Sequence, residues 1–215
     1  IGEQIISGEL VEGERIQELR IAKELDVSRG SVREALLLLE RTHLIEIFPR
    51  RGAIVSEMSA QQVRALFDTC SLLLGQIVQR IAETWRHHEI EQLQKLMEQI
   101  EAEYRQGHAE KIYDLIFQTL ARQQDMVANL YLMKFYQELL PSLRRSYFLT
   151  LNTSRRELQE SFDLFKLVID AILIRKSQQA SLFMDDFCRH LRNLVLESLT
   201  RMKQIELAWA RRSRR

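Results

Sequence analysis

The residues with the clearest chemistry form one block, Val27-Ser28-Arg29-Gly30-Ser31-Val32-Arg33-Glu34-Ala35-Leu36. A helix that reads a nucleic-acid groove must offer hydrogen-bond donors from its first turns to phosphates and base edges. The free N–H groups and the positive dipole end at a helix start already favour an anion there. Ser28, Arg29 and Ser31 add side-chain donors. Arg33 comes four residues after Arg29, so both project from one helix face. Arginine takes guanine in a bidentate grip, which makes Arg29 and Arg33 the candidates for base contact. The opposite positions Val32, Ala35, Leu36 and Leu39 are apolar and suit docking on a preceding helix. An amphipathic helix with two arginines is more commonly a solvated face, so the block gains weight only from its neighbours in the chain.

On its C-terminal side stands a pair of β-prone runs, Leu44-Ile45-Glu46-Ile47-Phe48 and Ala53-Ile54-Val55, around Pro49-Arg50-Arg51-Gly52. That pattern predicts a hairpin with Arg50 and Arg51 at its tip and Gly52 permitting the turn. The two arginines could reach a backbone or a minor groove. On the N-terminal side, Gln17 to Leu25 predicts a short helix, Asp26-Val27-Ser28 a turn, and Ser28 a cap for a helix from Arg29 to Arg41. Helix, turn, helix and basic-tipped hairpin is the order of a winged helix.

Charge at first argues against this reading. Residues 1–56 carry eight Lys or Arg and ten Asp or Glu. The distribution resolves the conflict: from Val27 to Ser56 five arginines face only Glu34, Glu40 and Glu46, and the other acids lie earlier in the chain. The whole chain of 215 residues has a formal net charge of +1, so attraction to a polyanion must be local.

Five of the seven glycines fall in the first quarter, which confines turn-rich structure to the front. Ile1 to Ser7 reads as a helix end stopped at Ser7-Gly8, and Ser56 to Ser59 as a joint. Beyond it, Ser59 caps the first of a series of helices expected at 60–86, 88–106, 109–125, 127–140, 142–151, 155–175 and 178–207, with no strand. Such helices bury their apolar faces in a bundle. The expected fold is mainly α: an N-terminal winged helix-turn-helix over 1–56 and a C-terminal all-helical bundle over 57–215. The Ala65 to Val78 run is apolar on more than one face, so its helix is either central to the bundle or shared with a partner. The tail Arg211-Arg212-Ser213-Arg214-Arg215 is basic and expected to fray.

Composition narrows the class. Two well-separated cysteines, Cys70 and Cys188, suit a reducing cytoplasm better than a disulfide framework. No apolar run approaches the ~18 residues of a membrane span, and no signal peptide is visible. The chain opens at Ile1 already in a helix-like pattern, as if residues precede it. An enzyme is opposed by the lack of a nucleophile-base-acid set, a Gly-rich phosphate loop or a metal cluster. His87-His88 cannot share one helix face and reads as a junction.

Gly8-Glu9-Leu10, Gly13, the block from Val27 to Leu36, Leu39-Glu40 and Pro49-Arg50-Arg51-Gly52-Ala53-Ile54-Val55 together resemble the GntR family of bacterial transcription regulators. The helical remainder resembles the FCD-type C-terminal domain of its FadR subfamily. The resemblance implies homodimers on short palindromic double-stranded DNA operators, usually repressors released by a metabolite. It also implies that Ser28, Arg29, Gly30, Ser31 and Arg33, with Arg50, Arg51 and Gly52 of the wing, meet the DNA. Two half-sites a helical turn apart independently require a two-fold protein.

Many FCD domains hold a divalent metal through one Asp and three His. Here the pattern falls on Asp114-Leu115-Ile116-Phe117-Gln118, so Gln118 stands at the first His position, and the later ones align with Phe165 and Phe187. These side chains make no metal site. His190 lies near Phe187 but fits only a shifted register. The family's effector-binding arginine aligns with Cys70. No metal or other cofactor is therefore expected. The replacing aromatics, Phe117, Phe162, Phe165, Phe183 and Phe187, resemble the metal-free branch, which includes a regulator binding fatty acyl-coenzyme A. They either fill a core or line a cavity for an apolar or acyl-type effector. Arg144, Arg145 and Tyr147 are either donors for a charged ligand head or surface residues. The expected effector-binding set is Asp114, Gln118, Phe165, Phe187, Arg144 and Tyr147. The expected function is a cytoplasmic, sequence-specific, dimeric DNA-binding regulator, most simply a repressor. The alternatives are a constitutive DNA-binding dimer without an effector, and a structural winged helix whose bundle only makes protein contacts.

Overall fold

A computed structural model describes the backbone of residues 1–148 and 153–212, with side chains throughout except at His88 and 206–212. The elements run α1 (Gly2–Ile6), β1 (Arg15–Ile16), α2 (Glu18–Glu24), α3 (Arg29–Arg41), β2 (Ile45–Phe48) and β3 (Gly52–Val55). They continue with α4 (Ala60–Thr84), α5 (His87–Gln106), α6 (Ala109–Ala121), α7 (Gln124–Val127), α8 (Leu130–Phe148), α9 (Arg155–Leu173) and α10 (Ser177–Arg212). The expected end of a helix at 149–151 and the tail residues 213–215 lie outside the described residues.

The N-terminal elements close around their own apolar cluster, with Ile5, Ile16, Val32, Leu36, Leu44 and Val55 buried in it. β2 and β3 pair antiparallel as the hairpin, with Phe48 opposite Gly52 and Ile45 opposite Val55. A third strand, β1, pairs on the other side of β3, with Arg15 opposite Ile54 and Ile16 opposite Ala53. β1 was not expected from the sequence. Two residues are too few to show alternation, and the pairing comes from β3 rather than from local propensity.

The second cluster belongs to the helical region. α4 runs through its centre, with Val63, Phe67, Cys70, Leu74, Ile77 and Ile81 all buried. Ser59 opens α4 with a reciprocal capping box, its hydroxyl accepting from the Gln62 N–H while the Gln62 side chain accepts from the Ser59 N–H. α10 packs along α4 closely enough that a Cβ added to Gly75 would lie 2.7 Å from Ser181 Oγ. Cys70 and Cys188 are both buried free thiols. Among the described residues no helix is long and apolar enough to cross a membrane.

Two helix boundaries differ from expectation. The expected break before Pro141 does not occur, because α8 runs through it from Leu130 to Phe148. Proline removes one N–H from the ladder, and buried Tyr136, Leu143 and Tyr147 on either side hold the helix in place by packing. The chain breaks earlier instead. Ala128 ends α7 in the left-handed region (φ 49°), and Asn129 Oδ1 accepts from the Leu132 N–H at 3.1 Å, starting α8.

Candidate nucleic-acid interface

α3 starts where Ser28 turns from extended to helical backbone. Ser28 Oγ accepts from the Ser31 N–H at 3.0 Å and lies 2.9 Å from Ser31 Oγ. The two hydroxyls thus hold each other at an exposed helix start, with Gly30 between them. Val32 and Leu36 point the opposite way into the N-terminal core. Ala35, expected with that apolar face, is exposed. The buried stripe is narrower than the sequence suggests, with only Val32 and Leu36 of α3 buried.

Arg29 and Arg33 project from the outer face, as their spacing requires. Their side chains are 56% and 64% exposed. Both turn toward Glu18 in the first turn of α2. Arg33 Nε donates to Glu18 Oε2 at 3.0 Å, and Arg29 Nη2 lies 3.8 Å from the same oxygen. Glu18 is only 21% exposed, so a largely buried carboxylate sits beside two exposed guanidinium groups.

The wing tip closes with the Arg51 N–H donating to the Phe48 carbonyl at 3.1 Å. Arg50 (φ 66°) and Gly52 (φ 82°) both occupy the left-handed region. That conformation suits Gly52 and holds Arg50 strained outward. A groove of about 800 Å³ lies between α3 and the wing, and Arg29, Arg33, Arg50 and Gly52 border it. Arg51 does not line the groove. Arg15 of β1 does, and its guanidinium Nε comes within 3.8 Å of where a Gly52 Cβ would stand. Arg15 gives no sign of this role in the sequence, since no motif surrounds it and only the β1–β3 pairing brings it to the wing. The groove therefore presents four arginines and Glu18, a net positive slot beside a helix start.

Five of the six residues expected at an effector site fall into two groups, and Gln118 into neither. Asp114 on α6 and Arg144 and Tyr147 on α8 converge. Arg144 Nε and Nη2 donate to the two Asp114 oxygens at 3.0 and 3.1 Å, and the Tyr147 hydroxyl also donates to Asp114. Arg144 Nη1 donates to Glu3 Oε1 at 2.7 Å, tying α8 to α1 of the N-terminal region. The Asp114 and Glu3 hydrogen bonds hold Arg144 firmly charged, while burial and then Asp114 push the Tyr147 hydroxyl well above its ordinary pKa. Gln118, one turn beyond Asp114, takes no part in this cluster and accepts from Arg122 at 3.4 Å.

Phe165 and Phe187 form the second group. Both are fully buried, with ring centres 5.6 Å apart, and Phe117 stands 6.0 Å from Phe187 and 5.5 Å from Tyr147. These are the spacings of packed aromatic rings. His190 lies 3.0 Å from Ser161 Oγ, which itself contacts the Tyr113 hydroxyl at 3.1 Å. Among the described residues no three His, Cys, Asp or Glu side chains cluster as metal ligands. Burial pushes the Cys70 thiol up to about 12 and raises Cys188 further, so both are neutral packing groups.

Comparison with known proteins gives this geometry its context. Residues 1–55 match the family of bacterial regulatory proteins called gntR, and residues 65–193 match the FCD domain. The gluconate operon transcriptional repressor of Bacillus subtilis (strain 168) is 27% identical over 176 residues, covering 79% of this chain and 71% of that protein. The Bacillus licheniformis protein of the same name is 24% identical over 170 residues, covering 78% and 67%. Among solved structures, E. coli McbR/YncC superposes with a TM-score of 0.77 at 18% identity, covering 92% of this chain and 94% of that one. A GntR-family regulator from Pseudomonas syringae pv. tomato gives 0.56 at 18% identity, covering 95% and 84%. The structural likenesses show the shared fold: a small winged N-terminal region and a helical C-terminal one. The chain belongs to the GntR family of bacterial regulatory proteins, as a DNA-binding transcriptional regulator whose winged helix is followed by an FCD domain.

Proposed function

We propose that this regulator represses transcription by binding a palindromic operator as a homodimer, and that its helical region changes operator affinity in response to a small molecule. The observation that carries the reading is the arginine-lined groove between α3 and the wing. In this proposal α3 enters the major groove from Ser28, and Arg29 and Arg33 reach base edges. Ser31 and the Gly30 backbone lie against a phosphate, and Arg50 and Arg51, on the turn ending at Gly52, track the neighbouring backbone or minor groove. Arg15 joins Arg50 there.

The repressor assignment takes its support from the Bacillus gluconate operon repressors. A homodimer follows if the operator is two-fold, since each half-site then needs its own copy of α3. Leu72 on α4 and Leu182 on α10, two helices that pack together, are 74% and 66% exposed, apolar surface that a second copy would cover. Effector response is supported by the Asp114–Arg144–Glu3 chain, which links the helical region to α1. The test is selection of bound duplexes from a random library, then footprinting and measurement of mass in solution. The proposal expects a symmetric site with half-sites about one helical turn apart and a dimer on the DNA. A single asymmetric half-site bound by a monomer would overturn it.

A further inference from the structure

A half-open cleft of about 430 Å³ lies where the winged region meets the helical one. It sits apart from the aromatic core and from the DNA groove. Its wall is apolar: Ile45 from β2, Met58 from the joint, Val63 and Leu66 from α4, and Leu139 from α8. Arg145 and Ser142 of α8 form its polar floor. Ser142 Oγ donates to the Thr42 carbonyl at 2.7 Å and is thereby occupied.

Arg145 is unusual in this setting. The residue is 8% exposed, yet among the described residues its one hydrogen bond runs from Nη2 to Glu12 Oε1 at 3.3 Å. That oxygen also accepts from the Met58 N–H at 2.9 Å, and the Glu12 side chain is itself 47% exposed. A guanidinium offers five donors in a planar fork suited to a carboxylate. Burial lowers the Arg145 pKa, and the Glu12 carboxylate offsets that only in part. A largely buried guanidinium that lines an apolar cleft, with one protein hydrogen bond among the described residues and its other donors open to the cleft, is complementary to an anion.

The rim defines which anion. Glu40, Glu46 and Glu57 stand around the opening with His43. A polyanion such as a nucleotide or phosphosugar would meet this acidic rim at a greater cost than a single carboxylate, whose one charge is offset by Arg145 on the floor. We propose that this cleft binds a small monocarboxylate with an apolar body, its carboxylate on Arg145 and its body against Met58, Leu66 and Leu139. The rim tolerates an amino group on the ligand. Because Met58 and Ser56 belong to the segment joining the two regions, an occupant fixes the set of the winged region relative to the bundle. That coupling rests on the effector-responsive reading above, while the binding claim does not.

The experiment is calorimetric titration of the full chain with octanoate, octanamide and gluconate. Octanoate is expected to bind, and the uncharged amide and the polyol acid to bind at least about tenfold more weakly. Arg145→Gln should weaken octanoate by a similar factor. Ala65→Trp fills the cleft from its exposed edge, and should abolish binding even if Arg145→Gln fails to fold. Absence of octanoate binding to wild type, preference for gluconate, or wild-type affinity in Ala65→Trp would each overturn the proposal. Operator titration with and without octanoate separates the two readings. Octanoate binding with no selectable operator would refute the regulator reading and leave the cleft standing. Operator binding with no octanoate binding would do the reverse.

Discussion

Replacing Glu18 with Gln perturbs the DNA groove without removing a donor that contacts DNA. In the structure Glu18 Oε2 accepts from Arg33 Nε at 3.0 Å and lies 3.8 Å from Arg29 Nη2. Both arginines are more than half exposed, so the pairs add only about 0.2–1 kcal/mol to stability, and Tm should fall by no more than about 4 °C. The effect on DNA is of opposite sign. A carboxylate on the floor of the groove repels a phosphate about 7 Å away by roughly 0.6 kcal/mol at the dielectric of water. Removing it tightens binding to any duplex by about threefold per half-site, close to tenfold for a dimer. The two freed guanidinium groups neutralise phosphate more completely, so the slope of log affinity against log salt steepens by up to ~1 per half-site. Specificity moves the other way, because Arg33 no longer leaves α3 in a set direction. The assay is fluorescence anisotropy on a random-sequence duplex and on the selected operator across a salt series. Glu18→Gln should bind the random duplex more tightly and show a smaller ratio between the two. If its affinity for random duplex is unchanged or weaker, Glu18 does not govern the arginines as argued.

The geometry makes three further outcomes testable. Gly52→Val forces a β-branched residue to φ 82° at the wing tip, at a cost of about 1–2 kcal/mol; a lower Tm and weaker DNA binding are expected, and a wild-type wing would contradict the turn assignment. Asp114→Asn leaves Arg144, itself 16% exposed, with the exposed Glu3 as its one ionic partner among the described residues; it should cost about 2–3 kcal/mol and lower Tm by roughly 4–10 °C, and an unchanged melting curve would contradict the structural role of that carboxylate. Because burial pushes its pKa up to about 12, Cys70 should resist alkylation in the folded protein at mildly alkaline pH and react after denaturation, so rapid labelling of the native chain would show an exposed thiolate.

The elements easiest to read in the sequence are those whose local chemistry matches their tertiary role. Ser28 caps α3, the Val32 and Leu36 spacing buries one face of it, and Gly52 supplies the turn that the hairpin needs. Arg29, Arg33 and Arg50 accordingly border one groove. Features set by long-range packing are not readable in this way. β1 exists only as a partner of β3, so Arg15 gives no signal of its own. Pro141 suggests a break that flanking burial overrides, and Ala35 is apolar yet exposed at the edge of the α3 stripe. Aromatic spacing on α9 and α10 predicts burial of Phe165 and Phe187. Their ring contact at 5.6 Å depends on how those helices approach each other, which periodicity does not encode. The Asp114–Arg144 pair joins α6 to α8 through residues 30 apart in sequence, and Glu3 reaches Arg144 from 141 residues away.

The most direct measurement of the central claim, that α3 and the wing read DNA, is a competition titration of wild type and Arg33→Ala between the selected operator and random duplex. Arg33→Ala is predicted to lose about 1–3 kcal/mol on the operator and much less on random DNA, with discrimination relaxed at one base position in each half-site. If Arg33→Ala bound the operator with wild-type affinity and selectivity, α3 would not be the reading helix.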